Sequence, residues 1–220
     1  FERFIFINDD YSPSLIEYAA FFGSIECFKF LYQKLESFPS NLSQFAVAGG
    51  NYEIIHLCEQ EKVQFDDESL MVSIRFFRSE ITSYIEENFN VQKTIDDASK
   101  AIVYYNLRAL MDCEPIIREN PNKRNTRGYT LLTLACLNGD QDIINYLITT
   151  FSDKIDINTP TIQGETPLSY AAEFGHIELV KYLVSFPNIN INSSNKNGIT
   201  PLMYAIRQGH LNVAKFMASL

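Results

Sequence analysis

Positive charge is scarce in this 220-residue chain, where 18 Lys and Arg face 27 Asp and Glu for a formal net charge of −9. A phosphate backbone is gripped through a basic footprint, so this balance argues against nucleic acid as a partner. The deficit is uneven: residues 1–110 hold 17 acids and 9 bases, and 111–220 hold 10 and 9. A cationic partner would feel the first half more strongly, although a solvated acidic surface is the plainer reading. No apolar run approaches the ~18 residues that span a bilayer, so direct membrane insertion is not expected. The opening FERFIFINDD has neither the basic start nor the apolar centre of a signal peptide. Four cysteines, Cys27, Cys58, Cys113 and Cys136, lie far apart with no C-x-x-C pair. That usage suits reduced thiols packed as small hydrophobes in a cytoplasmic protein.

Catalytic signatures are also missing. The chain has no H-E-x-x-H, G-x-x-x-x-G-K, G-x-S-x-G or G-x-G-x-x-G. His176-Ile177-Glu178 matches the H-x-E fragment of zinc deaminases, but the P-C-x-x-C that must accompany it is absent. His56 and Cys58 stand two apart on an expected helix, so they point to different faces and make a poor nucleophile and base. No catalytic residue, metal site or cofactor is expected, and the chain reads as a non-enzyme. Asn41-Leu42-Ser43 and Asn192-Ser193-Ser194 fit the glycosylation pattern, but without a secretory signal the matches read as coincidence.

What the chain has instead is a repeated sentence. GETPLSYAAEFGHIELVKYL from Gly164 returns as GITPLMYAIRQGHLNVAKFM from Gly198, 34 residues later. With Thr as reference, Ala follows five residues on and Gly nine residues on, as Thr130/Ala135/Gly139, Thr166/Ala171/Gly175 and Thr200/Ala205/Gly209. Weaker copies are Ser14/Ala19/Gly23, Asn41/Ala46/Gly50 and Asp96/Ala101/Tyr105, and the most decayed is Glu68/Ser73/Phe77. Ser, Thr, Asn and Asp accept hydrogen bonds from a first helical turn, so the reference position is the expected helix N-cap in all copies but the Glu68 one. Pro167 and Pro201 suit the first helical residue. Ala keeps one face of a short helix low, and Gly ends that helix in the left-handed region. A second apolar pattern follows, Ile177, Leu179, Val180, Leu183 and Leu211, Val213, Ala214, Met217, at helical spacing. The unit is a helix-turn-helix.

Its length changes along the chain. Between helix-end positions the steps are 27, 27 and 28 residues through Tyr105, and then 34, 36 and 34. The later units carry inserts, NKRNTRGYT, NTPTIQGETP and NSSNKNGITP, whose composition means turns. Ile155/Ile157 and Ile189/Ile191 alternate as short strands would. A β-hairpin finger between helix pairs is therefore expected in the C-terminal half. Gly49 is the one glycine that marks neither a helix end nor a finger.

These residues resemble ankyrin repeats: Gly-x-Thr-Pro-Leu, Tyr-Ala, Gly-His and a closing Asp156-Ile157-Asn158 carry the signature over about Asn122–Leu220. IEYAAFFGSIECFKFL and GGNYEIIHLCEQ resemble the divergent N-terminal ankyrin-like repeats of large protist families. The sequence departs from the pattern where Ser169, Met203 or Thr133 replaces the family's loop-bracing His, and where Asp140 replaces the His after Gly139. His176 and His210 keep that second position, where the family bonds loop backbone. The resemblance implies an all-α solenoid of about seven helix-turn-helix units, stacked right-handed, with short repeats over 1–116 and three ankyrin repeats over 117–220. It also implies a partner-binding scaffold.

A stack whose units touch only their neighbours leaves one long concave face of finger tips and inner helices. On that face the side chains expected to meet a protein partner are Arg124, Arg127, Tyr129 and Leu137 in one unit. In the next they are Ile162, Gln163, Glu165, Glu173 and Phe174, and in the last Lys196, Ile199 and Arg207. Apolar pairs before the helix ends, Phe21/Phe22, Phe76/Phe77, Val103/Tyr104 and Phe174, border the same face; one reading is an apolar binding stripe, and the plainer one is that in the short repeats they fill space that fingers would cover. Two other readings are a regulatory or targeting module of a larger enzyme and a structural anchor for membrane-protein tails. The last helix, LNVAKFMASL, closes on apolar Leu220 without a polar capping repeat, and the first residue is not Met. Continuation of the natural chain is therefore expected.

Overall fold

A computed structural model describes residues 12–220, so FERFIFINDD and the reading attached to it lie outside the described residues. The chain divides into two compact units, one reaching Gln92 and the other running from Lys93 to Leu220. This division marks packing, whereas the change of repeat length near residue 116 marks the finger inserts.

In the first unit α1 (Leu15–Phe21), α3 (Leu42–Gly49) and α5 (Asp67–Arg75) lie side by side as an inner row. Each packs on the helix that follows it, α2 (Ile25–Tyr32), α4 (Tyr52–Gln60) and α6 (Ser79–Phe89). The second unit places α7 (Ile95–Val103), α10 (Leu131–Asn138), α12 (Pro167–Glu173) and α14 (Pro201–Arg207) in its inner row. Their partners are α8 (Leu107–Asp112), α11 (Gln141–Thr150), α13 (Ile177–Val184) and α15 (Leu211–Ala218), with a short α9 (Glu114–Glu119) inserted after α8. The described residues are helices and turns, with no strand.

The alanine column explains how the inner rows close. Ala46, Ala101, Ala135, Ala171 and Ala205 are wholly buried, as is Ser73, the decayed counterpart. A methyl group there lets neighbouring helices approach without displacing larger side chains. The same residues govern the turn. The amide after the helix end donates back to the column's carbonyl, as in Arg78 to Ser73 (2.8 Å), Asn106 to Ala101 (2.8 Å) and His210 to Ala205 (2.9 Å). This closure requires a left-handed residue between them. Gly23, Gly50, Gly139, Gly175 and Gly209 supply it, and Phe77 (φ 57°) and Tyr105 (φ 56°) adopt it without glycine's freedom.

Thr130, Thr166 and Thr200 cap their helices, accepting from the backbone of Thr133, Ser169 and Met203. Ser14 shares a capping box with Glu17. Asn41 holds the N-cap position of α3, but its side chain accepts no hydrogen bond from the helix's first turn. One expectation is corrected. Asp96 is not a cap: Thr94 caps α7 in a box with Asp97, leaving Asp96 in the first turn. Glu68, the one reference position not expected to cap, lies inside α5, which is capped by Asp66 Oδ1, accepting from the Ser69 amide at 3.0 Å. In both repeats the helix starts two residues earlier relative to its buried Ala or Ser. The acids then sit where the helix dipole favours negative charge.

Gly49 has its own reason. A Cβ there would lie 2.1 Å from the Ala20 carbonyl oxygen and 2.8 Å from that of Phe21, so α1 and α3 touch backbone to backbone. Above this contact Phe21 meets Phe76 edge to face at 5.9 Å, a bridge between the first and third repeats. Phe22 and Phe77 do not fill space as expected and stand 66% and 60% exposed. On the outer helices Tyr84 donates to Glu59 at 2.6 Å and Tyr32 to Glu61 at 2.5 Å. Burial, reinforced by the Glu59 carboxylate, pushes the Tyr84 phenol up to about 12.

All four cysteines are free thiols. Cys58, Cys113 and Cys136 are buried, but Cys27 is exposed, contrary to its expected place in packing. Burial pushes the Cys58 thiol up to about 12 and raises that of Cys136, so neither supplies thiolate at neutral pH.

Candidate functional site

Three finger loops project between the helix pairs of the second unit. Each is closed by one backbone bond across its base: Asn125 to Tyr129 (2.8 Å), Thr161 to Glu165 (2.8 Å) and Asn195 to Ile199 (3.1 Å). One bond inside the turn, such as Gly128 to Asn125 at 2.9 Å, completes each loop. Two bonds make a tight turn but not a ladder, so the strands expected around Ile155/Ile157 and Ile189/Ile191 do not form among the described residues. Asn125 Oδ1 accepts from the amides of Arg127 and Tyr129, and Asn195 Oδ1 does the same for Asn197 and Ile199. This Asx geometry explains the Asn-rich inserts.

The fingers are coupled in series. Ile162 donates its amide to the Gly128 carbonyl, and Lys196 to that of Gln163, both at 3.0 Å. Nearer the outer helices, Asn122 donates to Lys154 O and accepts from the Asp156 amide. Asn158 repeats this toward Asn188 and Asn190. Beneath the fingers His176 Nε2 reaches Leu137 O at 3.3 Å and His210 Nε2 reaches Glu173 O at 2.9 Å. Asp140 has no ring proton to donate and caps α11 instead, while Asn138 Nδ2 makes the equivalent link to Ile102 O at 3.0 Å.

A groove of about 450 Å³ opens between the first finger, α7 and α10. Val103, Tyr129, Leu134 and Leu137 give it apolar walls, and Asp96, Lys100, Thr126 and Arg127 give it polar ones. Of the expected partner-facing residues the groove gathers Arg127, Tyr129 and Leu137. Sequence reasoning missed Asp96 and Lys100, because it treated α7 as part of the short repeats. The available signal was α7's place directly before the first finger.

The other expected residues lie elsewhere on the unit. Ile162, Gln163 and Lys196 are exposed on the fingers, and Ile199 is half-buried. Arg124 is exposed, and its Nε donates to Pro160 O at 2.8 Å. Phe174 is exposed and stacks near His176, with ring centroids 6.4 Å apart. Glu173 pairs with Arg207 at 2.8 Å. Glu165 is tied into the protein, accepting from Thr161 Oγ1 (2.5 Å), Asn195 Nδ2 (3.1 Å) and Tyr204 OH (3.2 Å). Partial burial raises its pKa, but these hydrogen bonds outweigh it and hold the carboxyl below its usual range. Glu165 thus braces the second finger.

Among the described residues no group of His, Cys, Asp and Glu could hold a metal ion, and no helix is long and apolar enough to cross a membrane.

The family model described as ankyrin repeats (3 copies) matches residues 100–193 and 153–220, together more than half of the chain. A domain of unknown function, DUF3447, matches residues 35–113. The tyrosine-protein kinase HTK16 of Hydra vulgaris is 32% identical over 72 residues, which are 33% of this chain and 9% of the kinase. Alpha-latrocrustotoxin-Lt1a of Latrodectus tredecimguttatus is 42% identical over 65 residues, 30% of this chain and 4% of the toxin. The chain therefore matches less than a tenth of either relative's length. With its capped helix pairs, alanine column and coupled fingers, the chain belongs to the ankyrin-repeat family, whose repeats are generally protein-interaction modules.

Proposed function

We propose that this chain is a cytoplasmic protein-binding module without chemistry of its own, its short repeats supporting three ankyrin repeats that hold a partner through fingers and inner helices. The observation that carries this reading is the groove beside the first finger, where Leu137 and Val103 face open space. Its finger wall is held by the Asn125–Tyr129 backbone bond, by Asn125 Oδ1 and by Asp96, so little ordering is left for binding to impose. A second reading, a regulatory or targeting module of a larger enzyme, draws support from the partial match to a tyrosine-protein kinase.

The test is a crosslinking pull-down from cells that make the protein. It compares the wild type, a Leu137→Arg/Ile162→Asp variant, and a control altered on the outer helices, Lys181→Glu/Lys215→Glu. The first variant should lose its specific proteins and the control keep them. Recovery of the same proteins by all three removes the proposed face from consideration.

A further inference from the structure

We propose that the groove beside the first finger selects acidic peptides that carry an apolar anchor, an inference that rests on the partner-binding reading above. The argument is an accounting of its polar groups. Asp96 Oδ1 accepts from the Thr126 hydroxyl (2.7 Å) and the Thr126 amide (3.1 Å), so this carboxylate holds the finger in place. Ser99 donates to Ile95 O at 2.8 Å, Asn138 Nδ2 donates to Ile102 O, and Asn125 Oδ1 closes the finger turn. Three charged groups line the groove and none enters a salt bridge among the described residues: Asp96, whose Oδ1 is taken up by Thr126, and the two cations Lys100 and Arg127, which outnumber it. Two cations without internal partners beside an apolar floor are complementary to carboxylates flanking a hydrophobic side chain.

The volume agrees with this. About 450 Å³ lies near the lower end of the roughly 300–1,000 Å³ typical of ligand clefts, room for an anchor side chain and its neighbours. Val103 is 45% exposed at the rim, a large apolar side chain that a bound anchor would cover. Lys123 and Arg124 stand on the same finger, and both are exposed, so the finger adds two further cations beside Arg127. A basic peptide would meet Lys100 and Arg127 with like charge, which disfavours that occupant.

The test uses the full 220-residue chain and a display library of random peptides of about twelve residues, followed by fluorescence anisotropy with the enriched peptides. Enriched peptides should place Asp or Glu beside Leu, Ile, Phe or Met. Lys100→Glu/Arg127→Glu should weaken their binding at least ten-fold, and Lys100→Gln/Arg127→Gln should weaken it less. Lys181→Glu/Lys215→Glu, with the same change in net charge, should leave it unchanged. Matching thermal melts of all variants guard against misfolding. No enrichment, enrichment of basic or neutral peptides, or affinity indifferent to charge reversal overturns the proposal. If Leu137→Arg abolishes protein capture while Lys100→Glu/Arg127→Glu leaves it intact, the partner-binding reading stands and the acidic selectivity falls.

Discussion

The two units solve one problem, joining a helix pair to the next, with different materials. The second unit joins its pairs through coupled fingers, through the Asn122 and Asn158 clasps, and through His176 and His210 below. Among its described residues the first has no fingers and relies on close contact. Asn51 Nδ2 reaches Gly23 O at 3.1 Å, Arg78 Nη2 reaches Ala48 O at 3.1 Å, and Gly49 lies against α1. Asn51, Arg78, His176 and His210 all follow a left-handed helix end, so one position carries the same duty in both units with different donors. Any side chain that can reach back and donate a proton serves there, which is why the motif decays so far without losing its geometry.

Charge separates the units as well. Residues 1–92 carry 15 acidic and 6 basic side chains, and 93–220 carry 12 of each. The net charge of −9 thus belongs to the first unit, and the finger-bearing unit is free to show a locally basic groove. Whole-chain charge is a poor guide to a site when it is unevenly spread.

The largest expected effect breaks the first unit's mode of joining. Gly49→Ala forces α1 from α3 because the obstruction is backbone, at an expected cost of about 3 kcal/mol. Hydrogen exchange should show lost protection in both helices, and unchanged exchange would mean the contact is looser than described. Next comes the joint in the second unit. His176→Ala removes the bond to Leu137 O and the ring that fills the space under Gly139, and should cost about 1–2 kcal/mol in denaturant unfolding. A cost near zero would assign the joining to the fingers alone. The smallest effect concerns the shared turn. Tyr105→Gly relieves a left-handed residue that costs roughly 1–2 kcal/mol, less about 0.5–1 kcal/mol for the added freedom of the unfolded chain. A rise of a few degrees or less in the melting temperature is expected, and a fall would show that the Tyr105 ring packs more than its exposure suggests.

Much of this architecture was legible. Thr130, Thr166 and Thr200 announce their helices because capping is local chemistry, written within four residues. The left-handed positions were legible even where Phe77 and Tyr105 hide them, since spacing carried the signal that residue type had lost. Asp96 was misread because its frame was counted from Ala101, and a helix can begin earlier without moving its buried alanine. Gly49 was visible but unexplained, for its reason is a carbonyl 29 residues away. The groove's finger side, with Arg127 and Tyr129, lies where the turn pattern places it, whereas nothing in the sequence sets Lys100 beside them, because its place depends on which helix faces the finger. No pattern along a chain records which polar groups are already engaged.

The Asn122 and Asn158 side chains each clasp the loop one repeat ahead and nothing further. A chain clasped only to its next link behaves as a linear spring: it bends by small increments at every joint and, under tension, opens one link at a time. Pulling along the second unit should therefore give a sawtooth of small extensions, with each tooth beginning when the finger, asparagine and histidine bonds of one joint give way together.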